Sequence, residues 1–210
     1  MADEHLRALE RSASQGGSEA QARLLRERLR AGSLSASRLE LAAYLGHAGA
    51  LLALEQAPEP EDRDLREWLW SFQRWGRQGV VRVLVAACRC GLECAPDHPR
   101  LGALEDALGV VSAWCDDREQ GLFALESATE DAGEAQFDGM VEETAILWHV
   151  GSAVWNTAMA AWKADTEEPN KPFLYKAWEA LDALARVIEE AELRTAIRED
   201  LRSWALNAEN

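Results

Sequence analysis

The chain has 210 residues, with 37 acidic residues against 22 basic ones and a formal net charge of −15. This balance argues against direct binding of nucleic acid through a general basic face, and the lack of any run of about 18 apolar residues predicts no transmembrane helix and no membrane partner. Because four cysteines are too few for a disulfide framework and the N-terminus lacks the basic and apolar regions of a secretory signal, we expect a reduced, cytoplasmic protein.

Residues 1–57 are predicted to form a module of four short helices joined by tight turns. Apolar residues recur there at spacings of three and four, as on one face of a helix, and glycines separate the periodic segments. We expect Ser18 to cap the second helix, Ser35 or Ser37 to cap the third, and His47 to cap the fourth. This pattern is typical of a helical-repeat module, although it has no exact period.

A charged stretch with two prolines at 57–62 marks the best boundary in the chain, because it cannot continue a helix. Residues 61–210 are predicted to form an acidic helical bundle whose centre lies at 80–93 and 141–162. The predicted helices are 62–93, bent or split at Gly76 and Gly79, then 99–115, 117–132, 136–164, 172–190 and 192–206. The fold class is therefore all-α, a helical array or bundle with a short-helix, repeat-like N-terminal module.

The negative charge is concentrated in the second half of the chain. Residues 1–100 are nearly neutral, whereas residues 101–143 hold 12 acids and one base, Arg118. Two interpretations remain open: a solvated face that keeps the protein soluble, and a surface that recruits a basic partner protein. The candidate partner-binding residues are Glu105, Asp106, Asp116, Asp117, Glu119, Glu126, Glu130, Asp131, Glu134 and Asp138.

Four residues of zinc-ligand type, Cys88, Cys90, Cys94 and His98, lie close together in the pattern C-x-C-x3-C-x3-H. The spacing differs from the usual C-x2-C knuckle. Cys90 and Cys94 would share one helix face, whereas Cys88 would point elsewhere. We favour the alternative, a buried helix in which the cysteines pack as small hydrophobic residues.

A second potential metal site lies on the predicted helix 136–164, where Asp138, Glu142 and His149 fall on one side. Di-iron bundles need the motif Glu-x-x-His, which this helix lacks. The chain also has no Ser-His-Asp arrangement, no H-E-x-x-H motif and no nucleophile elbow. The sequence therefore predicts a protein that is not an enzyme, with no catalytic residue, no metal ligand and no cofactor.

Three tryptophans on the same predicted helix, Trp148, Trp155 and Trp162, are spaced by seven residues. Because a straight helix drifts only about 20° per heptad, their rings should form one stripe. The stripe is either part of the core, which we favour, or the lining of a groove for a ligand or peptide.

Two segments resemble known families. Residues 24–54, which run from LLRERLRAGSL through LELAAYLGHA to LLAL, resemble an N-terminal helical module of uncharacterised myxobacterial and planctomycete proteins. Residues 99–114, PRLGALEDALGVVSAW, are similar to an Arg…Ala-Leu…Trp segment of immunity proteins from bacterial polymorphic-toxin systems. In that family Ala- and Trp-rich helices follow, as residues 144–162 do here. The resemblance implies an all-helical cytosolic protein that neutralises a toxin by binding it, and it brings no catalytic residues.

Three functional hypotheses follow. The first is an immunity-type inhibitor whose acidic residues cover a basic toxin site, such as that of a nuclease. The second is a helical-repeat adaptor or scaffold subunit of a bacterial assembly, which binds through residues 1–56 and through grooves near Trp68, Trp70 and Trp75. The third is a metal-binding protein. We favour the first, with another protein, basic in charge, as the partner; the sequence predicts no oligomeric state.

Overall fold

The computed structural model describes residues 2–57, 63–95, 99–116, 122–141, 145–166 and 171–206, with the side chains of all but 2–3, 122–123, 135–141, 165–166 and 171–172. These residues form helices and no strand, so the predicted all-α fold class is confirmed. The helices are α1 (Ala2–Gln15), α2 (Ser18–Arg30), α3 (Ala36–Tyr44), α4 (Ala48–Leu54), α5 (Leu65–Ser71), a 3-10 turn (Phe72–Trp75), α6 (Gly76–Cys94), α7 (Leu101–Asp116), α8 (Leu122–Val141), α9 (Ala145–Thr166), α10 (Lys171–Leu184) and α11 (Glu190–Leu206).

The chain divides into two compact units, one of residues 1–63 with 198–210 and one of residues 64–197. The sequence interpretation assigned residues 61–210 to one bundle, whereas the contacts of residues 198–206 lie within the first unit. There the Arg202 side chain donates hydrogen bonds to the backbone oxygen of Leu45, from Nε at 2.7 Å and also from Nη2. The guanidinium of Arg38 lies over the ring of Trp204, 4.9 Å from its centroid.

Side chains and glycines fix the helix ends of the first unit. Ser35 caps α3 and His47 caps α4, and each accepts a hydrogen bond from the backbone N–H three residues on, at 3.2 and 3.1 Å. Both caps confirm the sequence predictions. The predicted cap at Ser18 is wrong, because Ser18 is the first helical residue of α2 and the extended Gly17 before it is the N-cap, without a side-chain bond. Gly46 has a φ of 81°, which lets the chain turn sharply between α3 and α4.

The cap at His47 should make stability depend on pH. Burial, with a smaller contribution from Arg202, lowers the pKa of His47 below its ordinary value of 6.5. The folded protein therefore keeps Nδ1 unprotonated and able to accept, while the unfolded chain takes up the proton first as the pH falls. Stability from this residue is complete above pH 6.5 and is lost as the pH falls toward the lowered folded pKa.

We expect His47→Asn, which retains a capping oxygen but does not titrate, to match the wild type at about pH 8 and to lose less stability at about pH 5. His47→Ala should be about 1 kcal/mol less stable at pH 8 because it loses the cap. Urea unfolding at both pH values measures these differences. His149, whose pKa is also lowered, stays in both proteins and so cancels in the comparison. Equal losses in the wild type and His47→Asn would contradict the role of His47.

Helix α6 lies at the centre of the second unit, as predicted. Every residue from 79 to 88 is buried, and the helix packs against α7, α9 and α10. The predicted split at Gly76 is confirmed, since a 3-10 turn ends there and Gly76 has a φ of 77°. Gly79 lies inside α6 and does not break it.

Three predicted helix limits are wrong. One of them is the end of the predicted helix 172–190, because α10 ends at Leu184. The sequence predicted one helix over 136–164, but α8 ends at Val141 and α9 begins at Ala145. The sequence also predicted a break at Gly133, yet α8 runs through it. A Cβ atom at Gly133 would lie 3.4 Å from the indole ring of Trp155, which is van der Waals contact, so α8 and α9 lie close together at this residue. Gly133 is therefore at a contact between two helices and does not end a helix.

Candidate functional site

Helices α7 and α8 are consecutive, pack against each other, and contain no Lys, Arg or His. Their inward faces are apolar and buried, with Leu104, Leu108 and Val111 on α7 and Leu125 and Ala132 on α8. The remaining positions carry three carboxylates on α7 and five on α8. Two neighbouring helices thus combine a normal core-facing side with carboxylates as their only charged groups.

All of the candidate carboxylates whose side chains the structure describes are exposed. We define the acidic surface as these seven residues: Glu105, Asp106, Asp116, Glu126, Glu130, Asp131 and Glu134. The other predicted members cannot be placed on it, because Asp117 and Glu119 lie outside the described residues and Asp138 is described only as a backbone position on α8.

The acidic surface does not serve the stability of α8. Glu126, Glu130 and Glu134 recur every four residues and therefore form one stripe along the helix. Like charges at this spacing destabilise a helix by about 0.2–0.5 kcal/mol per pair. A sequence selected only for a stable, soluble helix would place lysine or arginine among these positions.

A recess lies beside the acidic surface. It has a volume of about 360 Å³ and lies between α6 and α7. Its lining residues are Arg89, Leu92, Glu93, Glu105, Leu108 and Gly109. On the same side of α7, Arg82 and Arg89 both donate to the hydroxyl of Ser112, at 2.7 and 3.1 Å. Arginine side chains of α6 therefore contact α7, whereas α8 has five carboxylates and no basic residue of its own.

The structure separates the predicted cysteine cluster. Cys88 is fully buried with its Sγ 3.3 Å from the hydroxyl of Thr157, and burial raises its pKa to about 12, which suits a packing role. Cys90 and Cys94 share one face of α6, as predicted. Their sulfur atoms and a carboxylate oxygen of Glu192 lie within 4.8 Å of one another. His98 lies outside the described residues.

The second potential metal site does not form as the sequence suggested. The hypothesis placed Asp138, Glu142 and His149 along one helix, but Asp138 lies on α8 and His149 lies on α9. Glu142 lies outside the described residues. The imidazole of His149 contacts the ring of Trp148 edge-on, with the ring centroids 4.7 Å apart.

The tryptophan stripe on α9 is not the core, and the core interpretation is wrong. Trp148 is 36% exposed, and Trp155 and Trp162 are partly exposed. Trp155 lies against Gly133, with the ammonium of Lys176 4.8 Å from its ring centroid. The buried apolar residues of α9 are instead Leu147, Val150, Ala153, Val154, Ala158, Ala160, Ala161 and Ala164. Small residues of α9 therefore face the neighbouring helices, and the indole rings lie at the edges of these helix contacts.

The three tryptophans proposed to line an adaptor groove differ in exposure. Trp68 is buried, Trp75 is partly exposed and Trp70 is 44% exposed. The guanidinium of Arg66 lies over the rings of Trp70 and Trp178, at 5.1 and 4.6 Å from their centroids. This cation–π contact occupies ring faces that a bound peptide would otherwise use.

Comparison with known proteins finds no family model, no curated protein and no solved structure that matches the chain. Within the described ranges, no helix combines the length and the apolar composition needed to cross a membrane. Function is therefore inferred from the chemistry of the residues themselves.

Proposed function

We propose that the protein is a non-enzymatic, cytoplasmic binding protein that uses its acidic surface to cover a basic site on a partner protein, as an immunity-type inhibitor would. One observation carries the proposal. Two adjacent helices of the second unit present seven exposed carboxylates and contain no basic residue.

The charge pattern supports a binding role because repulsion between its carboxylates costs helix stability along α8. Carboxylates spaced along α8 repel one another, and the fold offers no lysine or arginine on α7 or α8 to relieve them. A partner with clustered Lys and Arg would relieve this repulsion on binding. Complementary charge of this kind raises the association rate and sets specificity.

The basic site of a nucleic-acid-processing toxin matches this chemistry. Such sites bind phosphates through clustered Lys and Arg. A row of carboxylates presents negative charge to these residues, as a row of phosphates does. The recess between α6 and α7, which Glu105 lines, could receive a side chain of the partner.

Capture of the partner tests the proposal. The tagged full-length protein is incubated with an extract of the source cells at low salt, eluted at high salt, and the eluate is identified by mass spectrometry. We expect a stoichiometric basic protein that high salt releases. A bait with Glu126→Gln, Glu130→Gln, Asp131→Asn and Glu134→Gln should capture much less of it. A partner that resists salt and binds this bait equally would contradict the proposal and favour the adaptor hypothesis.

A further inference from the structure

We propose that Cys90, Cys94 and Glu192 bind one zinc ion, at a site that is independent of the acidic surface. The three residues come from two helices of the second unit: Cys90 and Cys94 lie in the last turns of α6, and Glu192 lies in the first turn of α11. Glu192 is 98 residues from Cys94 along the chain, so only the fold brings it to the two cysteines.

The distances fit zinc with small adjustments. A tetrahedral zinc site with ordinary bond lengths separates its ligand atoms by roughly 3.5–3.8 Å. The two sulfurs and the carboxylate oxygen already lie within 4.8 Å of one another. Rotation of the exposed Cys94 and Glu192 side chains can close the remaining gap of about 1 Å, while the buried Cys90 stays fixed.

Packing of α6 holds the site in place. Gly91, between the two cysteines, is buried, and a Cβ atom there would lie 2.5 Å from Leu184 Cδ2. The glycine therefore allows the end of α6 to approach the end of α10. From Leu184 the chain turns through residues 185–189, held by backbone hydrogen bonds, and enters α11 three residues before Leu193. The turn therefore places Glu192 next to the two cysteines.

The local charges suit a cation. Burial, followed by the charges of Cys94, Glu192 and Glu93, raises the pKa of Cys90 to about 11. The carboxylates of Glu192 and Glu93 therefore bring negative charge to the two thiols, and a bound Zn²⁺ would offset it. Binding replaces each S–H bond with a S–Zn bond and releases two protons to the solvent, with no change of oxidation state. Water completes the fourth position, as in open zinc sites.

The chemistry of the ligand atoms determines which metal ion the site prefers. Two thiolates favour zinc over magnesium or calcium, which prefer oxygen ligands throughout. Cobalt(II) takes the same geometry and gives an absorption band from thiolate coordination, so it reports directly on sulfur ligation.

Titration of the reduced full-length protein with Co²⁺, followed by displacement with Zn²⁺, tests the site. We expect one Co²⁺ per chain with a thiolate-to-cobalt band, and loss of that band when Zn²⁺ is added. When Zn²⁺ is added instead to the metal-free protein, calorimetry in two buffers should show release of about two protons per Zn²⁺. Cys94→Ser should weaken binding by about 100-fold or more, since even outer-shell changes cost about 10–100-fold. Glu192→Gln should weaken it by about 10-fold while keeping the band.

Matched controls separate ligation from general effects. Cys88→Ser changes a cysteine on another face of α6, and Glu199→Gln changes an exposed acid one heptad further along α11; both should bind Co²⁺ like the wild type. Because Cys94, Glu192 and Glu199 are exposed, their variants should keep the helical circular dichroism of the wild type. The absence of a thiolate band in the reduced wild type would overturn the proposal, and so would a band of full strength in Cys94→Ser.

Discussion

The combined variant Glu126→Gln, Glu130→Gln, Asp131→Asn and Glu134→Gln should associate with the proposed basic partner about tenfold or more slowly at low salt. These residues are exposed on α8 and form the longest part of the acidic surface. Electrostatic steering raises association rates by about 10–10³-fold, and this variant removes most of the charge that would steer. Stopped-flow or surface-based kinetics with the captured partner measures the rate.

A control with the same change of net charge distinguishes the surface from the overall charge. Neutralising Glu19, Glu40, Glu189 and Glu199, which are exposed on other elements, should leave the association rate within about twofold of the wild type. Equal slowing by both variants would show that total charge matters and the acidic surface does not.

The same α8 variant should be more stable than the wild type. Removing the repulsion along the stripe should raise the free energy of unfolding by about 0.5–1 kcal/mol. A gain of stability together with a loss of binding is the pattern expected where function is kept at a cost to the fold. Urea unfolding of the variant and the wild type measures this difference.

Gly91→Val should lower the free energy of unfolding by about 3 kcal/mol. A Cβ atom at this position would lie 2.5 Å from Leu184 Cδ2 and 3.4 Å from Val150 Cγ2, and both of those residues are fully buried. The neighbours cannot move into solvent, so α6 must separate from α9 and α10, and overpacking of this kind costs about 1–3 kcal/mol or more. Urea unfolding followed by circular dichroism gives the change.

Gly109→Ala is the matched control for this substitution. Gly109 is an exposed helical glycine on α7, and nothing lies within 4 Å of a Cβ placed there. Alanine at this position should raise the free energy of unfolding by about 0.5–1 kcal/mol, because glycine is the poorer helix former. If Gly91→Val proved as stable as the wild type, the close approach of α6 to α10 would be wrong, and so would the packing that holds Glu192 near the cysteines.

Local signals made most of the helices predictable. The caps at Ser35 and His47 depend on a side chain and the backbone three residues away, and the split at Gly76 depends on one positive φ. The sharing of one face by Cys90 and Cys94 follows from helical spacing alone. Each of these features is complete within a few residues of sequence, so the sequence alone was enough.

The predictions are wrong at positions where tertiary packing, and not the local sequence, determines the structure. Residues 142–144 read Glu-Glu-Thr and contain no proline or glycine, so nothing in the sequence marks the end of α8. Glycine often ends a helix, but Gly133 lies inside α8 beside Trp155. The tryptophans of α9 were predicted to lie in the core because they are its largest apolar residues. Close packing against α8 and α10 instead favours alanine at the buried positions. Glu192 could not be found at all, because no local pattern connects it to Cys90 and Cys94.

The dependence of the association rate on ionic strength tests the central claim most directly. Raising the salt from about 10 mM to about 1 M shortens the Debye length from about 30 Å to about 3 Å, which removes steering between exposed charges. If the acidic surface guides a basic partner, the association rate of the wild type should fall steeply over this range while the dissociation rate changes little. An association rate that stays constant as salt is raised would contradict the claim.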